Sequence, residues 1–272
     1  MSCKVGLTEW RLAASGPEAV RLAALVGADG VQLDFGGPGR GEPIDGPGRI
    51  EALRAAAAEC GVDLLALAGN QFNDVGLTAE SEIVRPLLIR LLDAAVELGV
   101  PLVFVPSFRR SAIDGLESFT RTAEVLRWAS AEAAARHVLL ANENVLDGER
   151  ARALAEEIDS PAFRLVLDTF NPVATGRCVA ELVALASDLL ADQVHLKDGP
   201  PTVGASPLLG SGIGKLDETV DALRRHQAPV HAFVLENDYR DGDSVRLAAD
   251  LAWARRRAEL FPARHSIRGA GR

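Results

Sequence analysis

Along the chain, short apolar runs alternate with stretches in which apolar side chains recur every three or four positions. The runs are "KVGLTEW" (4–10), "GVQLDFGG" (30–37), "VDLLALAG" (62–69), "PLVFVPSF" (101–108), "HVLLANENV" (137–145), "FRLVLDTFNP" (163–172), "DQVHLKDG" (192–199) and "PVHAFVLEND" (229–238). Their length and near-continuous apolar character predict strands covered on both faces. Between them the period becomes helical, over 16–27, 48–60, 79–98, 114–136, 148–158, 178–190, 217–226 and 243–260. In the second helix Ile50, Leu53, Ala57 and Cys60 form one stripe before Gly61; in the third, Leu87, Leu88, Leu91, Leu92 and Ala95 do so before Gly99. Pro17 suits a first helical turn.

Eight strand–helix units in 272 residues average roughly 34 residues each, enough for a βαβ step. Short apolar strands alternating with helices imply parallel strands and right-handed crossovers. The pattern predicts a single α/β domain, a (β/α)8 barrel over residues 1–262. An Arg- and Gly-rich tail, 263–272, should be flexible. A doubly wound open sheet is the alternative, but no glycine fingerprint follows the first strand.

Composition narrows the function. Hydrophobic residues make up 48% and charged residues 25%, a soluble globular mixture, and the net charge of −9 disfavours nucleic acid or an anionic membrane as partner. No run of 18 apolar residues and no N-terminal apolar leader is visible, so a cytoplasmic protein is expected. Cys3, Cys60 and Cys178 are odd in number and form no CxxC, which predicts free thiols in a reducing compartment.

The strands end in charge. Glu143, Asp168, His195 and Glu236 close strands five, six, seven and eight, where a barrel's βα loops form the mouth. Any one of these acids alone would suit a cap or a salt bridge. Three carboxylates converging on one imidazole would repel each other unless a cation joined them. Their oxygen-rich donor set suits Mn²⁺, Mg²⁺, Co²⁺ or Zn²⁺. Lys197, two residues beyond His195, points to the same face and reaches the site unless Asp34 or Asp198 pairs with it. Asp34 and Asn70, with Glu9, end the first three strands and line the same mouth. Trp10, Phe72, Phe108 and Phe170 offer aromatic walls. "GSGIGK" (210–215) has the form of a phosphate cradle before a helix.

The order Glu, Asp-x-x-(polar), "HLKD", Glu on strands five to eight, with "PLLGSGIGKLD" (207–217), resembles the sugar-phosphate isomerase/epimerase family of xylose-isomerase-like barrels. That family includes ketose 3-epimerases, hydroxypyruvate isomerases and inosose dehydratases. The resemblance implies a sugar or polyol isomerase or epimerase acting through a metal-stabilised enediolate. Manganese is the first choice of ion. Glu143, Asp168, His195 and Glu236 would be its ligands, and Glu143 and Glu236 the acid/base pair, with Lys197 assisting. A dehydratase-type lyase or a non-catalytic sugar-binding protein is the alternative, and a homo-oligomer is left open. The chain departs from the family's epimerases at Asn171, where a histidine is common, and lacks an arginine that some carry after strand seven. Asn171, with Asn70 and Asp34, is expected to meet substrate hydroxyls.

Overall fold

A computed structural model describes residues 3–202, 204 and 206–261, so the expected tail at 263–272 lies outside the described residues. In chain order the elements are β1 (Lys4–Thr8), α1 (Pro17–Val26), β2 (Gly30–Asp34), α2 (Arg49–Cys60), β3 (Asp63–Ala68), α3 (Phe72–Val75), α4 (Ser81–Leu98), β4 (Leu102–Pro106) and α5 (Leu116–Ala135). They continue with β5 (Leu139–Glu143), α6 (Gly148–Ile158), β6 (Phe163–Asp168), α7 (Asn171–Ala174), α8 (Val179–Ala186), β7 (Leu190–Leu196), α9 (Leu216–Arg225), β8 (Ala232–Leu235) and α10 (Ser244–Ala258). Every strand pairs in parallel with its sequence neighbours, and β8 pairs with β1, so the sheet closes into the expected eight-stranded barrel.

Two cores result. The larger lies between the strands and the surrounding helices, and takes the apolar stripes, among them Leu53 of α2 and Leu88, Leu91 and Leu92 of α4. A smaller one fills the barrel itself, with Ala66, Ala68, Leu102, Phe104, Ala141, Val166 and Ala191. Toward the bottom, Leu65 packs against Ala232 and Val234. A Cβ on Gly6 would lie 2.5 Å from the Leu65 side chain and one on Gly30 2.6 Å from it, so these glycines make its seat. Leu65 is also the extra residue of a bulge, because Val31 pairs with Leu64 while Gln32 pairs with Ala66.

Since strand side chains alternate faces, the inward set on each strand rises in steps of two toward the mouth. Asp168 and His195 are paired in register, which sets them at one level. The differences from the sequence reading are at the strand ends. β6 stops at Asp168 rather than running on to Pro172, because its side-chain Oδ1 accepts the N–H groups of Phe170 and Asn171 and turns the chain into α7. Likewise β1 gives way at Glu9 to a 3-10 turn, Glu9–Arg11, which carries Trp10 and Arg11 over the mouth.

Candidate active site and metal centre

Glu143, Asp168, His195 and Glu236 are all buried at the top of the barrel, and one donor atom from each lies within 4.8 Å of the others. Each has a polar atom tied down by the scaffold. Asn171 Nδ2 donates to Glu143 Oε1 at 3.0 Å, and Trp10 Nε1 donates to Glu236 Oε1 at 3.1 Å. Asp168 Oδ1 is held by the two backbone amides, and His195 Nε2 meets Gln32 Oε1 at 2.8 Å. The remaining atoms face one another: His195 Nδ1 is 3.8 Å from Glu143 Oε2 and 3.5 Å from Glu236 Oε2. Asp168 Oδ2, His195 Nδ1 and Glu236 Oε2 are buried without a hydrogen-bond partner. Orphaned buried polar atoms are costly, and here three of them share one locus. That donor set fits a divalent cation.

Electrostatics tells the same story. Burial, together with Glu236 and Glu143, pushes Asp168 up to about 7, with Lys197 working against the shift. Burial disfavours the His195 imidazolium, yet the Glu143 and Glu236 carboxylates outweigh it and raise its pKa to about 10. The cluster attracts positive charge strongly enough to hold a proton on a fully buried imidazole. A metal ion and that proton compete for the same lone pair.

Lys197 joins this group. Its Nζ is 3.7 Å from Glu236 Oε2 rather than paired with Asp34 or Asp198. Burial works against its charge, but Glu236 and Asp168 prevail and raise its pKa. Conversely, burial would raise Glu236, but Lys197, His195 and Arg11 hold it well below the usual carboxylate range. Arg11 Nη2 lies 3.5 Å from Glu236 Oε1. The rings of Phe104 and Trp10 stand edge-on to the imidazole, with centroids 5.3 and 6.2 Å away. Phe72, by contrast, belongs to the outer core.

A cavity of about 570 Å³ opens beside Trp10 between the first two βα loops, lined by Glu9, Asp34, Arg40 and Arg49 among others. Burial, with Glu9 nearby, pushes Asp34 up to about 6 against the pull of Arg40, whose Nη1 is 3.7 Å away. Asn70 is buried next to Asp34, and its side chain opposes that rise by hydrogen bonding. Burial raises Glu9, and the charge of Arg49, which also lines the cavity, opposes that rise.

The glycine-rich loop does something other than the sequence suggested. Its amides are already committed to a carboxylate of the protein. Asp198 Oδ1 accepts from Gly199 and Gly214, and Oδ2 from Gly210 and Gly212, all at 2.9 Å. A Cβ on Gly212 would come within 2.4 Å of Asp198 Oδ1, so the glycines make room for an internal anion and leave no cradle for phosphate. Asp198 N in turn donates to Asn237 Oδ1, and Asn237 Nδ2 to Asp250 Oδ2. Sequence reasoning missed Arg11, Phe104, Gln32 and Gln193. The signal for the two glutamines was their position, two residues before Asp34 and His195 on the same strand faces.

Comparison with known proteins places this geometry. The family model described as xylose isomerase-like TIM barrel matches residues 20–257. A 2-epi-5-epi-valiolone 7-phosphate 2-epimerase from Actinoplanes sp. strain SE50/110 is 63% identical over 269 residues, 99% of each chain. Among solved structures, D-psicose 3-epimerase with D-tagatose from Clostridium cellulolyticum H10 superposes with a TM-score of 0.76 at 17% identity, covering 94% of this chain and 99% of that one. A xylose isomerase domain protein from Planctomyces limnophilus gives 0.75 at 14% identity, over 96% and 98%.

Proposed function

The chain belongs to the xylose isomerase-like TIM barrel family, and on that premise we propose that it is a divalent-metal-dependent sugar-phosphate epimerase. Its substrate would be of the class of 2-epi-5-epi-valiolone 7-phosphate, which the name of the Actinoplanes relative gives with inversion at carbon 2. As a phosphorylated ketone it would be inverted at a carbon beside its carbonyl. The observation that carries the reading is the convergence of Glu143, Asp168, His195 and Glu236, each anchored at one end and open at the other. Manganese is the first choice, since three carboxylates and one imidazole form a mostly hard donor set. Bound there, the ion would act as a Lewis acid and stabilise the charge that develops on substrate oxygen as the neighbouring carbon loses its proton.

The protein's own groups supply the rest. Glu143 and Glu236 close strands three apart in an eight-membered ring, so they approach a bound substrate from different sides. One removes the carbon-bound proton and the other returns a proton to the opposite face, which inverts the centre. Trp10 holds Oε1 of Glu236 and Asn171 holds Oε1 of Glu143, which fixes the orientation of each carboxylate. Lys197, close to Glu236 Oε2, can donate to the substrate's oxygen. Phe104 and Trp10 wall the site against water. The cavity beside Trp10 takes the non-reacting end, with Asp34 toward hydroxyls and Arg40 and Arg49 toward phosphate, while Asn70, buried behind Asp34, supports that carboxylate. No helix among the described residues is long and apolar enough to cross a membrane, and the three cysteines are free, in keeping with a cytoplasmic enzyme.

The test is direct. Manganese-loaded protein given 2-epi-5-epi-valiolone 7-phosphate should form its C2 epimer. EDTA should lower turnover by at least about 100-fold and Mn²⁺ should restore it, the scale of several kcal/mol of lost charge stabilisation. Release of a dehydrated product would assign a lyase instead. No reaction with this compound or its unphosphorylated form would sink the reading.

A further inference from the structure

Below the cluster, inside the barrel, a chain of three hydrogen bonds runs from the imidazole to a backbone carbonyl. His195 Nε2 meets Gln32 Oε1 at 2.8 Å, Gln32 Nε2 donates to Gln193 Oε1 at 2.9 Å, and Gln193 Nε2 donates to the Leu65 carbonyl at 2.8 Å. Both glutamines and the imidazole are buried, in a lumen where an apolar side chain of equal volume would need no partners.

The direction of this chain is fixed by its end. A carbonyl oxygen can only accept, so Gln193 must turn its NH₂ group to Leu65 and its oxygen to Gln32. Gln32 must then give its NH₂ to that oxygen and present its own oxygen to His195. An amide oxygen cannot donate either, so His195 Nε2 carries a hydrogen, and Nδ1 is the nitrogen left to face the carboxylates, where a proton or a metal cation can take its lone pair. Leu65 is available as anchor because the β2–β3 bulge leaves it unpaired in the register, seated against Gly6 and Gly30.

We infer that Gln32 and Gln193 are positioning residues that hold His195 as the Nε2–H tautomer, with Nδ1 aimed at a divalent ion shared with Glu143, Asp168 and Glu236. This rests on the reading that those four residues bind a metal. Partners of this kind, one bond removed from a ligand, are worth about 10–100-fold in metal affinity. Gln32→Met keeps the volume but removes the acceptor. Gln32→Glu keeps an acceptor for the Nε2 hydrogen.

The experiment measures Mn²⁺ dissociation constants of the stripped wild-type protein and both variants, with metal-free melting temperatures as the control for folding. It adds ¹⁵N spectra of the zinc-loaded, histidine-labelled protein to read which ring nitrogen of His195 bears hydrogen. Expected are roughly 10–100-fold weaker binding in Gln32→Met, recovery of most of that loss in Gln32→Glu, and hydrogen on Nε2 alone in the wild type. Binding in Gln32→Met as tight as wild type, or hydrogen on Nδ1, overturns the inference and leaves the metal-dependent epimerase standing. A wild-type protein that binds no divalent ion overturns both. Should Gln32→Met fail to fold, the wild-type spectrum alone decides.

Discussion

At the scale of single residues, the mouth is organised by a division of labour within each side chain: one polar atom is fixed by a neighbour and the other is left facing the centre. This has a consequence for pH. In the metal-free protein His195 is raised from 6.5 to about 10, so its contribution to stability is in place below 6.5 and fades as pH climbs toward 10. Asp168, raised from 3.8 to about 7, also favours the folded state when protonated and loses that contribution as pH passes 7. Glu236 is shifted downward, so its contribution is present above 4.5 and constant in this window. A divalent ion would take the place of these protons. The rise in melting temperature on adding Mn²⁺ should therefore be larger at about pH 9 than at about pH 6. Equal shifts at both would remove His195 Nδ1 from the ligand set. The four charged strand ends were legible in the sequence because ionisable groups closing apolar runs are conspicuous. Gln32 and Gln193 were not, since period two assigns them a face but not a partner. Trp10 was expected as a wall, and its indole N–H on Glu236 depends on the 3-10 turn that replaces the end of the expected strand.

At the scale of elements, the segment from Asp198 to Gly214 shows how one sequence pattern can serve two purposes. Closely spaced glycines expose backbone N–H groups to any anion, and a bound phosphate or the chain's own carboxylate demands the same spacing. The deciding residue, Asp198, lies outside the glycine run, so only the folded chain reveals it. It also ties strand seven to strand eight and α10 through Asn237 and Asp250, the latter accepting from Leu209 N and from the Tyr239 hydroxyl. Gly212→Ala would drive a methyl group onto Asp198 Oδ1 and the Gly199 carbonyl, each 2.4 Å away. A cost of about 1–3 kcal/mol is expected, from strain or from amides left without their acceptor, in chemical denaturation. Faster proteolysis between residues 206 and 214 should accompany it. Unchanged stability and cleavage would show that Asp198 does not hold this loop. The main helices and strands were legible almost throughout, because glycine stops such as Gly61 and Gly99 follow clear stripes. The bulge at Leu65 and the short helices α3 and α7 were not, because side-chain bonds and register set them rather than periodicity.

At the scale of the whole molecule, closure of the sheet is what makes the chemistry available. Eight repeated units could be counted from the sequence, and closure puts β5 and β8 on different sides of one mouth, with β6 and β7 between them. Two carboxylates far apart in the chain thereby share one small centre, and the first two βα loops add a cavity, which under the proposed function takes the rest of the substrate. In the proposed epimerase, Glu143 and Glu236 exchange a carbon-bound proton of a substrate held at that centre. The most direct measurement of this exchange is turnover of the phosphorylated ketone in D₂O, in the wild type and in Glu236→Gln and Glu143→Gln, with metal content determined beside each rate. The amide nearly matches the carboxylate in shape but cannot take up the proton. Deuterium is expected on the carbon next to the carbonyl in the wild-type product, and its loss with metal retained in both variants. Wild-type epimerisation without solvent deuterium, or exchange undiminished in both variants, would contradict the proposed proton exchange.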